Sequence, residues 1–231
     1  MSKIYYITPE NLEDKDILYD LIYKNEKLNY YYSDNFSPEF YISLAKAGFI
    51  SVSYVEEGVE YLLPEMQFEY AVLDFKNLHI SKKVNKLLKD TNSYKFSKNC
   101  YFEEVLENIK IYHENSWIDG KYLNLLLKMK NIVDASFELV SFELVCSKTS
   151  TLVAGEIGYI INDTYTSLSG FTTKNKEYNN YGKLQMTLLS LYLEKNNFRF
   201  WNMGHPYMQY KLDMGAVVHK REDFLNRWLI C

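Results

Sequence analysis

Glu156 stands in the segment AGEIGY, where strand alternation puts it on one face with Leu152 and Ala154. A carboxylate among apolar neighbours is partly desolvated, which raises its pKa and suits it to accept a proton or hold an amine. The other reading is a salt bridge to a nearby Lys or Arg. Glu143, in SFELV, carries the same two readings. Tyr165, Ser167, Ser169 and Phe171 alternate along the next apolar segment. Placed on one strand face, they would line a side-chain pocket or pack across strands. The stretch FWNMGHPYMQYKLDMGA, Phe200 to Ala216, runs from an aromatic strand into a Gly-His-Pro turn holding His205. Tyr210 and Lys211 then follow at helical spacing. A strand that stops abruptly, a polar turn and a small helix commonly present a site in α/β proteins. Two basic features complete the set. Lys82, Lys83, Lys86 and Lys89 share a short segment with helical spacing, and Lys183 opens an apolar helix, where the helix dipole disfavours a cation. Both read either as solvated lysines or as anion contacts.

The elements that must position these residues are legible in outline. TPENLEDKDILYDLIYKNEKL spaces its apolar residues as a helix. SPEFYISLAKAG is a second helix, with Ser37 as N-cap, Pro38 in the first turn and Gly48 as stop. FISVSYVEEGVEYLLPEMQFEYAVLDF reads as strands turning at Glu57-Gly58. LHISKKVNKLLKD is a helix capped by Ser81, and two more helices occupy YFEEVLENIKIYHEN and DGKYLNLLLKMKN. After about residue 135, FELVSFELVCS, TLVAGEIGYIIND and TYTSLSGFTT form an antiparallel meander, with Val140, Phe142, Leu144 and Cys146 on one face. EYNNYGKLQMTLLSLYLEKNN is a helix apolar on much of its circumference. FRFWNM is a strand, PYMQYKLDM a short helix, and AVVHKREDFL a closing strand. The NNYG loop brings backbone N–H groups to a helix start, which suits an anion or a developing oxyanion.

Composition excludes several classes. The 231 residues suffice for one large core or two small ones; apolar residues make up 47% and charged residues 24%, as in ordinary globular chains. A net charge of -4 argues against a protein that coats nucleic acid, though not against a local basic patch. Cys100, Cys146 and Cys231 are scattered and odd in number, so neither a disulfide framework nor a metal site is expected. The N-terminal residues are too polar and acidic for a signal peptide, and no apolar run reaches membrane-spanning length. A soluble, cytoplasmic protein without membrane contact is expected.

The order meander, loop, buried helix, strand, short helix, strand resembles that of a GNAT-type acyltransferase core, and YKLDMGA resembles that superfamily's Tyr-x-x-x-Gly ending. A closer resemblance covers roughly residues 60 to 228. LHISKKVNKLLK, YFEEVLENI, SWIDGKYLNLLLKM, VSFELV, LVAGEIGY, SLSGFT, GKLQMTLLSL and MGAVVHKREDFL occur in the order of the leucyl/phenylalanyl-tRNA–protein transferase family. The resemblance implies an α+β GNAT-like fold, a mixed and mostly antiparallel sheet flanked by helices, in two GNAT-like halves. Residues 1–134 would form the N-terminal half and 135–231 the catalytic one.

The activity so implied is transfer of leucine or phenylalanine from aminoacyl-tRNA to a protein's N-terminal Lys or Arg, marking that protein for degradation. Where bacterial members carry Asp-Cys-Gln after the strand, this chain has Trp201-Asn202-Met203-Gly204, then Tyr210-Lys211, like variant members with Trp-Asp-Leu-Gly. Under this reading Asn202, placed by the resemblance, and Glu156 are the catalytic candidates. Glu143, Tyr165, Ser167, Ser169, Phe171, Trp201, His205, Tyr210 and Lys211 are the candidates for substrate, and Lys82, Lys83, Lys86 and Lys183 for tRNA.

An aminoacyl ester is already activated, so positioning alone can supply roughly 7 to 11 kcal/mol of the barrier. With an α-amino pKa of about 7.7–8.0, on the order of a tenth of the amine is neutral at pH 7, so a strong base is not obligatory. Asn202 could orient the amine through its side-chain oxygen without taking its proton. The expected partners are aminoacyl-tRNA as donor substrate and a protein or peptide N-terminus, with no cofactor and a monomeric enzyme. Two alternatives share the scaffold: an acetyl-CoA-dependent N-acetyltransferase binding its donor at NNYG, and a non-catalytic module that binds an N-terminus or a tRNA end.

Overall fold

The computed structural model describes residues 5–114 and 116–230. In chain order the strands are β1 (Tyr5–Tyr6), β2 (Tyr31–Tyr32), β3 (Ile50–Glu56), β4 (Val59–Glu65), β5 (Glu69–Leu73), β6 (Tyr94–Lys98), β7 (Phe137–Cys146), β8 (Leu152–Ile161), β9 (Thr164–Thr172), β10 (Phe200–Asn202) and β11 (Val217–Lys220). The helices are α1 (Pro9–Glu13), α2 (Pro38–Lys46), α3 (Lys82–Lys89), α4 (Phe102–Tyr112), α5 (Gly120–Met129), α6 (Tyr181–Lys195), α7 (Gln209–Asp213) and α8 (Arg221–Trp228). Local signals act as expected where they are strong. Ser37 Oγ accepts from Phe40 N at the start of α2, and Ser81 Oγ accepts from Val84 N at the start of α3. Glu57 and Gly58 both take positive φ between β3 and β4, the turn chemistry of a tight hairpin.

Seven strands form the central sheet in the order β11-β5-β10-β9-β8-β7-β6. Every neighbouring pair is antiparallel except β10 with β9. That parallel pair requires a crossover, which α6 supplies. The fold class is therefore the expected mixed, mostly antiparallel sheet flanked by helices. The sheet takes β5 and β6 from residues before 134, so position 134 does not separate one sheet from another. Three local expectations differ. The N-terminal helix is α1 followed by a π-type helical segment, Asp16–Tyr23. The strand β6 was not anticipated. The closing strand stops at Lys220, and α8 follows it to bury Phe224, Leu225 and Trp228.

The parallel pair is short. Phe200, Trp201 and Asn202 face Thr164, Tyr165 and Thr166, and β9 then runs on to Thr172 with no strand on that side. The departing chain stays with β5 instead: Met203 N donates to Ala71 O and Ala71 N to Gly204 O. The two parallel strands thus splay apart beyond Asn202, and the splay opens the sheet where the candidate residues lie.

Tyrosines and one arginine bind the N-terminal elements to this sheet. Tyr122 donates to Ser51 O at 2.6 Å and shares a hydrogen bond with Tyr41 at 3.0 Å. Tyr159 donates to Phe49 O at 3.2 Å, and Tyr70 to Gly48 O at 3.3 Å. All four rings are fully buried, and desolvation raises each phenol's pKa above its ordinary value. Arg221 is buried with backbone carbonyls as its acceptors: Gln67 O at 3.0 Å, Ile22 O at 3.2 Å, Leu28 O at 3.1 Å, Met66 O at 2.5 Å, and Asn25 O. Its guanidinium joins the first helical region, the β4–β5 connection and α8.

Candidate active site

Alternation along β7 and β8 divides the sheet into two faces. Phe142 and Glu156 are register partners and share the face covered by α6; Glu143 and Gly155, one residue along, share the other. On the α6 face, Glu156 Oε1 accepts from Tyr165 Oη at 2.8 Å and from Ser167 Oγ at 2.7 Å. Trp201 Nε1 in turn donates to Ser167 Oγ at 2.8 Å. Glu156 is only 5% exposed, and both of these bonds end on one carboxylate oxygen. The site needs Gly158. A Cβ there would lie 2.4 Å from Tyr165 Oη and 2.3 Å from Thr166 O, so a side chain would displace the ring that reaches Glu156.

Desolvation dominates the carboxylate and lifts its pKa to about 7. The hydroxyls of Ser167 and Tyr165, the Gln185 amide and the charge of Lys211 oppose that rise. Gln185, on α6, is buried; its amide favours the ionised Glu156, yet its Nε2 completes no well-formed hydrogen bond. Lys211 reaches back from α7 to Met203 O at 2.5 Å and His205 O at 2.7 Å. Burial pulls its pKa down to about 8, against the attraction of Glu156. Burial, then the Glu156 charge, pushes Tyr210 up to about 12. A carboxyl and an ammonium that both change protonation near neutral pH therefore share the splay, with the buried Gln185 amide beside them.

The structure assembles Glu156, Tyr165, Ser167, Trp201, Tyr210 and Lys211 in one place, and separates the other expected residues from them. The register shifts between Ile157 and Gly158, so Leu168 forms a bulge. Tyr165 and Ser167 stay on the Glu156 face, while Ser169 and Phe171 move to the opposite one. Ser169 Oγ lies 3.5 Å from His113 Nε2, and Phe171 packs in the core beside α4. The single mixed face expected of these four residues does not form. Glu143 is wholly buried on that opposite face, accepting from Ser97 Oγ at 2.6 Å, from Ser141 Oγ and from Tyr101 N at 3.5 Å. It holds the start of α4 and does not meet Glu156.

Asn202 is likewise apart. Strand alternation turns it to the face opposite Trp201, where Nδ2 donates to Thr166 Oγ1 at 3.3 Å and Oδ1 accepts from Gly204 N at 3.0 Å. It is 1% exposed, and its amide holds the turn that ends β10. His205 places Nε2 2.8 Å from Glu65 Oε2, away from Glu156. Lys183 and the α3 start lie across a groove of about 290 Å³ lined by His79, Ser81, Thr187, Asp213 and Met214. Lys82, Lys83 and Lys86 are exposed beside it. Sequence reading missed Gln185 and Glu65. The one polar residue between Leu184 and Met186 on a buried helix face was the available signal for Gln185.

The parallel pair splayed beside the crossover helix agrees with the GNAT-like fold expected from the order of elements, and it holds a buried carboxylate in the splay. The sequence model for leucyl/phenylalanyl-tRNA protein transferase matches residues 72–228, and the chain belongs to that family. Among solved structures it is similar to FemX, with TM-score 0.51 and 9% identity over 84% of this chain and 71% of FemX. It is also similar to L-PGS from Bacillus licheniformis, with TM-score 0.46 and 11% identity over 87% of this chain and 72% of that one. For the C-terminal domain of a putative lysylphosphatidylglycerol synthetase from Agrobacterium fabrum the TM-score is 0.47 and the identity 10%, over 83% of this chain and 65% of that domain. The likeness to FemX is one of fold. No curated protein sequence matches the chain. No helix among the described residues is long and apolar enough to cross a membrane.

Proposed function

We propose that this protein moves a leucyl or phenylalanyl group from aminoacyl-tRNA to the N-terminal amine of a protein, as a monomer in the cytoplasm and as a step of an N-degron pathway. The observation that carries the reading is Glu156: a buried carboxylate, oriented through one oxygen by Tyr165 and Ser167, with a pKa of about 7 at the strand splay. A base matched to neutral pH is what removal of an ammonium proton requires.

The attacking amine nitrogen bonds to the ester carbonyl carbon, and the bond from that carbon to the ribose oxygen breaks. Glu156 takes the proton that the amine loses and returns one to the departing ribose oxygen, so the carboxylate is regenerated. Trp201 fixes Ser167, and Ser167 fixes the carboxylate. We assign the Gln185 Nε2–H, beside Glu156, to the carbonyl oxygen as it gains charge. Lys211 holds the 203–205 turn against the same site and favours the ionised base. The exposed lysines of α3, with Lys183 across the groove, would meet tRNA phosphates and make binding salt-sensitive. Glu156 takes the proton-transfer role and Asn202 a structural one.

The test is single-turnover transfer from leucyl- and phenylalanyl-tRNA to peptides bearing different N-terminal residues. Transfer to Lys- and Arg-initiated peptides supports the reading. Folded protein without transfer to any peptide overturns it.

A further inference from the structure

The N-terminal elements carry a surface that the transfer chemistry does not use. β1 pairs with β2, residues 30–33 bridge to β4, and β4 pairs with β3, so four short strands make a small second sheet. Ser33 N donates to Leu62 O at 2.9 Å, and Leu62 N to Ser33 O at 2.8 Å. One face of this sheet turns inward. Ser33 and Leu62 are buried there, and Ser53 Oγ donates to Trp117 O at 2.7 Å. Alternation puts Tyr6, Tyr32, Tyr61 and Tyr54 on the other face. Tyr32 lies edge-to-face against Tyr6, with ring centroids 5.2 Å apart, and against Tyr61, at 5.7 Å. Tyr61 is in turn the register partner of Tyr54. One tyrosine from each strand thus forms a row across the whole sheet. Its ends, Tyr6 and Tyr54, are 46% and 47% exposed. The outward face of such a sheet is ordinarily polar, yet Val52 and Leu63 extend the apolar row here.

Two kinds of partner use an aromatic sheet face. Unpaired nucleic acid stacks its bases on the rings; extended polypeptide packs proline rings and arginine side chains against them. Charge decides between them. Residues 1–70 hold 13 acidic side chains against 5 lysines, a net charge of -8; the whole chain carries -4, so residues 71–231 carry +4. Asp34 Oδ1 accepts from Tyr6 Oη at one end of the row. Glu56 stands beside Tyr54 at the other end, two residues along the same face. Both carboxylates are exposed. Such a face repels a phosphate backbone and attracts a cationic chain. The whole row precedes residue 72, where the family match begins.

We infer that the row of Tyr6, Tyr32, Tyr61 and Tyr54 is a docking face for an extended, basic, proline-bearing segment of another protein. Proline rings pack between the tyrosines, while arginines lie on the ring faces and pair with Asp34 and Glu56. The dimensions agree. Three strand spacings of about 4.8 Å span roughly 14 Å, which a polyproline-type chain rising about 3.1 Å per residue crosses in about five residues. The inference stands apart from the transferase reading, because no residue of the row touches the Glu156 site.

The experiment is fluorescence anisotropy on the full chain with a labelled peptide of alternating arginine and proline, about ten residues long. Beside it run a lysine–glycine peptide of equal length and charge, and an oligouridylate. Wild type should bind the arginine–proline peptide about tenfold or more tightly than the lysine–glycine peptide, as expected where arginine and proline meet aromatic faces. Tyr54→Ala and Glu56→Lys, both at exposed positions, should each weaken that binding several-fold while thermal melting shows the fold intact; either decides the matter if the other does not fold. Equal binding of the two peptides would reduce the contact to bulk charge and overturn the docking face. So would arginine–proline binding unchanged in the folded variants. Oligouridylate binding that exceeds peptide binding and falls in Tyr54→Ala would make the face an RNA platform and overturn the proposal as well.

Discussion

Glu156 and Asn202 lie on opposite faces of the same sheet. Trp201, one residue before Asn202, reaches Glu156 through Ser167. Asn202 turns away to Thr166 and to the backbone of Gly204. The proposed mechanism therefore sets Lys211, through its charge, beside Glu156 and gives Asn202 the turn that ends β10.

Asn202→Ala should lower stability by about 1–3 kcal/mol, because it leaves the Gly204 N–H without its acceptor. Transfer per folded molecule should stay within a few-fold of wild type. Urea denaturation and a single-turnover rate check the two halves. A loss of rate by several orders of magnitude with stability retained would return Asn202 to the chemistry.

The pH dependence follows from Glu156. Its carboxyl binds a proton more tightly folded, at about 7, than at its ordinary value of 4.5. Its contribution to stability is full below the ordinary value and is lost as pH rises through about 7, a change of about 3 kcal/mol. Glu156→Gln should remove that acid-favoring slope between pH 4.5 and 8 in denaturation experiments. The same change should cut the transfer rate about 10²–10⁴-fold.

Lys211→Met should move the acid limb of the rate profile to higher pH, because the cation that favours ionised Glu156 is gone. It also leaves the carbonyls of Met203 and His205 without their donor, so stability should fall by about 1–3 kcal/mol. A pH–rate profile that keeps its acid limb in place would separate Lys211 from the base.

Gly158→Ala should disturb the site without touching any polar group. The added methyl collides with Tyr165 and the Thr166 carbonyl, costing about 1–3 kcal/mol. As Tyr165 is displaced, Glu156 loses a donor and its pKa rises. Thermal melts and the rate profile should therefore shift together.

Much of this architecture was legible because local rules dominate it. Ser37 and Ser81 cap their helices, the Glu57-Gly58 turn closes its hairpin, and the alternation of β7 places Val140, Phe142, Leu144 and Cys146 together. Glu156 was legible as a carboxylate on an apolar strand face. What escaped depends on pairing between distant segments. β5 and β6 join the central sheet through partners far along the chain. The bulge at Leu168 reverses the alternation that Ser169 and Phe171 seemed to continue. Arg221 looks like a surface charge, and its burial shows only when two distant backbone stretches, residues 22–28 and 66–67, converge on it. Glu65 belongs to the same class, since Asn29 and His205 reach it from opposite ends of the sequence.

The most direct test is the single-turnover rate of leucyl transfer from tRNA to an arginine-initiated peptide across pH 5.5 to 9 (wild type beside Glu156→Gln). The wild-type rate should rise with pH, bending near 7 as Glu156 ionises and levelling off only above the amine's own value of about 7.7–8.0, and the variant should be slower by about 10²–10⁴-fold at the plateau with its fold intact. Equal rates in the two proteins, or a wild-type profile without a limb near 7, would contradict Glu156 as the base.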